Sequence, residues 1–146
     1  MSYAVLPPDL APVIQDVVTE TLETMCFFTV MDRADVAWAP QEFCGRVSFA
    51  GEHSGYLHVC VSRDAVRSMA GNFLGEDENE LSEEQFTSVF CEIINMLCGA
   101  LLSRLWPDSL FALSTPGIEH SEPVAGASKH GFELETGVLG IWFATT

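Results

Sequence analysis

SEEQFTSVFCEIINMLCGALLSRLW, residues Ser82 to Trp106, carries helix signals at both ends and along its length. Ser82 and Gln85 make an S-x-x-Q capping box at its start and Pro107 closes it, so one long helix is expected across the segment. At about 100° per residue, Phe86, Phe90, Ile93, Leu97 and Leu101 fall within a sector narrower than a quarter-turn, which is the expected core face. Ser88, Glu92, Asn95 and Gly99 follow one another at spacings of four, three and four and gather on the opposite side as a single strip. Asn and Gly both weaken a helix interior relative to Ala, Gly by about 1 kcal/mol. Neither is a cap here, because the apolar period runs on to Leu105. On pattern alone the strip is either the solvated side of an amphipathic helix or a surface, bare of side chain at Gly99, that another protein can approach closely.

Toward the N-terminus, a first helix is expected from Asp9 to about Phe27. Pro7, Pro8 and an Asp9 cap open it, Pro12 sits in its tolerant first turn, and Ile14, Val18, Leu22 and Met25 form its stripe. Two β-branched and aromatic runs around GEHSG, within Phe43 to Val61, predict a hairpin. Next comes a short helix, SRDAVRSMAGNFLG, capped by Ser62 and stopped at Gly75. EDENE, residues 76–80, reads as a solvated loop. After the long helix come a short apolar run, LFALST, a loop from Pro116 to His130, and a second hairpin turning near Thr136 and Gly137.

The two halves resemble each other. TETLETMCF, Thr19 to Phe27, can be laid on CEIINMLCG, Cys91 to Gly99, matching Glu20 with Glu92, Glu23 with Asn95 and Cys26 with Cys98. The expected architecture is α+β: long helices packed on an antiparallel sheet, built from a duplicated helix-plus-strands unit. No linker divides the 146 residues, which suit a single domain burying about 70% of the surface its unfolded chain exposes.

Composition limits the partners. Twenty-one acidic residues against six basic ones give a net charge of -15 with no basic cluster, so nucleic acid and anionic membrane surfaces are not expected partners. Apolar residues make up 48% of the chain and charged residues 18%, a globular balance. No uninterrupted apolar run reaches the length of a membrane span, and MSYAVLPPDLAP lacks the features of a secretion signal, so the expected location is the cytoplasm. The five cysteines contain no CxxC pair and the four histidines no HxxxH, so the thiols are expected to be free and buried and no metal site of the protein's own is expected.

The strip S-x-x-x-E-x-x-N of Ser88, Glu92 and Asn95, followed by Gly99, resembles the signature of the CheC/CheX/FliY family of chemotaxis phosphatases. SGYLHVCVSRDAVRSMAGNFLG, a loop, FCEIINMLCGALLSRL and then ALSTPGI are similar in order and kind to the CheX branch, over about Gly45 to Ile118. The resemblance implies hydrolysis of the aspartyl phosphate of a CheY-like response regulator, which supplies its own Asp, Lys and Mg²⁺, so that the phosphatase needs no cofactor. In-line water and charge stabilisation carry such chemistry. Asn95 would position the attacking water, its amide able both to donate and to accept. Glu92 would pair with a partner lysine, while Ser88 and Gly99 would meet the partner surface. An acid at the Asn95 position would place negative charge beside a phosphoryl group that already carries it. By that argument the Glu20 and Glu23 pair is silent, as in one-site CheX rather than two-site CheC. The resemblance further implies a homodimer. A catalytically idle module that binds a receiver or serves in a flagellar switch remains the alternative; an ordinary hydrolase is disfavoured, since the chain has no G-x-S-x-G and no phosphate-cradling glycine loop.

Overall fold

In the computed structural model, which describes residues 10–146, the capping box of the long helix forms as read: Gln85 N–H donates to Ser82 Oγ at 3.1 Å, and Ser82 N–H donates to Gln85 Oε1 at 2.9 Å. The helix, α3, runs Glu83–Leu105 between Ser82 and Trp106 as caps. The other described helices are α1 (Leu10–Cys26) and α2 (Arg63–Leu74), and all three pack against one another. The strands are β1 (Val30–Arg33), β2 (Phe43–Gly51), β3 (Gly55–Val61), β4 (Phe111–Leu113), β5 (Gly117–Ile118), β6 (Ser128–Leu134) and β7 (Val138–Thr145).

They form one antiparallel sheet in the order β1-β6-β7-β3-β2-β4, with β5 also paired to β2. Strand alternation sends Phe43, Val47, Phe49, Leu57, Val59, Leu139, Ile141 and Phe143 to the helical side, where they are buried with the helices in the main core. Cys44, Cys60 and Trp142 point the other way into a small second core beneath Trp38. Exchanging α1 with α3, β1 with β4, β2 with β6 and β3 with β7 turns the strand order into its own reverse. α2 and β5 have no counterpart under that exchange.

Several expectations are corrected. The Pro7, Pro8 and Asp9 opening lies outside the described residues. Met25 is 40% exposed rather than part of the buried stripe; Thr21 and Cys26 bury instead, because α1 turns its face toward α3. Ser62 makes no side-chain cap to α2: its Oγ accepts from Val138 N–H at 2.9 Å and ties the helix start to the β6–β7 hairpin. Within EDENE, Asp77 caps a short 3-10 turn, Glu78–Glu80. The loop expected from Pro116 to His130 contains β5 and the first residues of β6. Strand β1, four residues paired to β6, adds an edge that the sequence pattern does not signal. By length and composition α3 could cross a membrane; its apolar side chains are instead packed between the sheet and the other two helices.

Candidate functional site

α3 reaches the site through its burial. Phe86, Phe90, Ile93, Leu97 and Leu101, the expected core face, are each at most 2% exposed, and Val89, Ile94, Cys98 and Leu102 widen that face. At Gly45 on β2 a Cβ would sit 2.7 Å from Ile94 Cδ1 and 2.8 Å from Gly117 O, so the absence of a side chain lets α3 and β5 close on β2 together. The residue beside Ile94 is Asn95. Locking one side of the helix in this way fixes the direction of the other side, which carries exposed Ser88 and Glu92 and half-buried Asn95 and Gly99.

The strip is not a free outer surface, as the helix pattern had suggested, but one wall of a groove. Ser88, Glu92 and Asn95, with Thr87 and Cys91, face Leu113, Ser114, Thr115 and Pro116 across an open space of about 490 Å³. A bulge explains the second wall. Phe49 pairs with Leu113 and Arg46 with Gly117, so Val47 and Ser48 of β2 oppose three residues, Ser114 to Pro116. Pro116 has no N–H to give to the ladder. Ser114 is nevertheless pinned: its N–H donates to Ser48 O at 2.9 Å, and its Oγ accepts from Ser48 N–H at 2.9 Å. Sequence reasoning gave these rim residues no role; the signal available was the small polar pair Ser114-Thr115 set before Pro116-Gly117.

Gly99 lies one turn beyond Asn95 and lines an adjoining groove rather than this one. A Cβ at Gly99 would meet nothing within 4 Å, so its own fold does not require glycine there. Of the chain's six basic residues, five hold acids elsewhere: Arg46 with Glu119, Arg63 with Glu83, Arg67 with Glu78, Arg104 with Glu20 and Lys129 with Asp35. Arg33 donates to Gln15. Glu92 therefore has no cationic partner among the described residues, whereas Glu20 is tied to Arg104. Glu23 is exposed on α1.

The cysteines are all unpaired. Cys26, Cys44, Cys60 and Cys98 are buried, and Cys91 is half-buried among the residues that line the groove. Burial pushes the Cys26 thiol up to about 11 and the Cys98 thiol up to about 12, which keeps both protonated. No group of three or more His, Cys, Asp or Glu is placed to share a metal ion among the described residues.

Residues 43–134 match the family described as chemotaxis phosphatase CheX. No curated protein sequence matches the chain. Among solved structures, the chain is similar to the chemotaxis protein CheX from Vibrio vulnificus, with a TM-score of 0.79 at 20% identity over 98% of this chain and 100% of that one. It is similar also to CheX in the CheX-CheY-BeF3-Mg²⁺ complex from Borrelia burgdorferi, with a TM-score of 0.73 at 13% identity over 95% and 99% of the two chains. FliY from Thermotoga maritima matches at 0.57 and 16% over 94% and 91%. At these identities the structures speak for the fold, and the family match covers most of the chain: it belongs to the CheX family.

Proposed function

We propose that the protein removes the phosphoryl group from the aspartate of a CheY-like receiver, working at the α3 groove. The observation that carries this is the pairing of an unpartnered exposed Glu92 with a half-buried Asn95 one turn on, on a helix whose opposite side is fixed in the core. The family match supports the reading, as does the existence of a CheX-CheY complex in a protein of the same fold. Receiver and Mg²⁺ bring the phosphoryl group, its aspartate and the metal; this chain brings groups that orient. Asn95 holds the attacking water in line, which is most of what phosphoryl transfer asks of a protein. Glu92 pairs with a receiver lysine and sets register, and Ser88 meets the partner beside it. Glu20 and Glu23 take no part: Glu20 is held by Arg104 within the chain, and an acid at the second position repels the phosphoryl group.

The reading places the protein in the cytoplasm, where a phosphorylated receiver and Mg²⁺ are available. It also treats the reversing strand order as the trace of a duplicated unit in which only the second copy kept its site. A homodimer belongs to the same proposal, with exposed Phe27 and Met31 beside edge strand β1 as apolar surface to cover. Sedimentation velocity at micromolar concentration is expected to show the dimer, and a monomer alone would remove it.

The test of function is phosphate release from a receiver charged with a small-molecule phosphodonor in the presence of Mg²⁺. Wild-type protein is expected to speed release beyond the receiver's own rate, and Glu92→Ala to require more receiver for the same rate, increasingly so as salt is lowered. Glu23→Ala should match wild type. Binding without any acceleration would establish the idle module instead.

A further inference from the structure

Leu110 is 90% exposed, the most exposed of the large apolar residues among the described residues, yet the turn that carries it is held on both sides. Before it, Ser109 Oγ donates to Glu52 Oε2 at 2.6 Å and Ser109 N–H donates to Trp106 O at 3.1 Å. Trp106 in turn stacks on His53 with ring centroids 4.0 Å apart and planes 14° from parallel. After it, Phe111 enters β4 and meets Phe49 edge-on at 5.9 Å. At 90% exposure the Leu110 side chain is buried by nothing in its own chain, and the anchored turn holds it in place.

Its surroundings connect it to the candidate site. Leu110 lines a shallow groove of about 200 Å³ with Gly99, Leu102, Ser103 and Leu113, and none of the residues lining that groove is charged. In a chain of net charge -15, an uncharged surface with an apolar tip stands apart. Leu113 lines this groove and the Asn95 groove alike, and Gly99 follows Asn95 along α3 by about 6 Å of helix rise. The two grooves adjoin at Leu113, and Gly99 puts no side chain on the stretch of α3 that leads from one to the other.

We propose that Leu110 is an apolar anchor for the receiver, so that the docking surface of the Glu92 and Asn95 site runs down α3 past Gly99 to the α3–β4 turn. The proposal rests on the reading of that site as a receiver phosphatase and adds what the partner must offer: an uncharged, apolar patch beside its phosphorylated aspartate, away from the lysine that meets Glu92. Glu92 then supplies salt-sensitive register and Leu110 supplies salt-insensitive affinity. Leu110 is a docking residue, so its loss acts on capture and not on turnover.

The experiment compares wild type, Leu110→Ser and Asn95→Ala for binding to a CheY-like receiver of the same genome, held in its activated form with beryllofluoride and Mg²⁺, at two salt concentrations. Phosphate release at saturating receiver and sedimentation velocity accompany it. Leu110→Ser should keep its circular dichroism, because the side chain packs on nothing, weaken binding by about tenfold equally at both salts, and leave the saturated rate and the oligomeric state unchanged. Wild-type affinity in Leu110→Ser, while Asn95→Ala loses turnover, would overturn the anchor and leave the phosphatase reading intact. A changed oligomeric state with unchanged receiver affinity would give the patch to a second copy of this chain and overturn the anchor likewise. Failure of the wild type to bind the receiver would overturn both readings.

Discussion

Gly99 separates what the fold needs from what the site needs. Open space surrounds the position a Cβ would take, so Gly99→Ala should raise stability by about 1 kcal/mol in denaturant titration, as the helix interior gains propensity. Gly99→Leu should fold equally well and capture the receiver poorly, since it fills the low middle of the proposed docking face. Wild-type capture by Gly99→Leu would detach Gly99 from function. At this scale the sequence was informative about one wall only. Glu92, Asn95 and Gly99 stood out because helical spacing made them neighbours and two of them are poor helix formers. Ser114, Thr115 and Pro116 did not, because their approach to α3 depends on a bulge between β4 and β5, and a bulge follows from the register of strands distant in sequence.

At the scale of elements, the long α3, α2 and the two hairpins were legible from periodicity, caps and turn residues, which act over a few neighbouring positions. β1, β4 and β5, of four, three and two residues, carry too little pattern to be read and exist only through their pairing with β6 and β2. The end of α1 was legible to within a residue, but not its geometry. Phe27 takes φ 50° in the left-handed region, is 73% exposed, and lets Phe28 N–H donate back to Leu22 O at 3.1 Å. A side chain there is strained where glycine is not. Phe27→Gly should therefore raise the denaturation midpoint by an amount worth about 1 kcal/mol; a lower midpoint would mean that the ring contributes contacts, for example across a dimer. The halves matched in sequence at α1 and α3 are also the halves exchanged by the reversing sheet order, which was not legible because order within a sheet is set by pairing between distant segments.

For the whole molecule, charge and burial set the response to pH. His58 is 4% exposed on the outer face of the sheet, between Trp38 and Tyr56, and its Nδ1 has no partner among the described residues. Burial, and then the nearby Arg46, hold its pKa below the ordinary histidine value, with Glu119 opposing. His130 is lowered the same way, by burial and then Arg33. The folded protein thus keeps both rings neutral while the unfolded chain takes up protons as pH falls below about 6.5. Stability contributed by these groups is present above that pH and is lost as pH falls from there toward the folded-state values. Urea midpoints should drop between pH 7 and pH 5, and less steeply in His58→Phe. An equal slope in that variant would show that His58 is not the cause. Glu119, lowered mainly by hydrogen bonds from Ser121, adds a separate loss only below the ordinary carboxylate range.

Asn95 is proposed to act on the water, while Glu92 and its neighbours act on the partner. Single-turnover dephosphorylation of the receiver, with Asn95→Ala in saturating excess, separates the two roles. The rate should fall below wild type by about a hundredfold or more, the scale of a lost orienting contact. Affinity for the beryllofluoride-activated receiver should be unchanged and the fold intact, because Asn95 is half-buried on the groove side of α3, away from the side that carries Phe90, Ile93 and Leu97. A wild-type rate from Asn95→Ala at saturation would remove Asn95 from the chemistry.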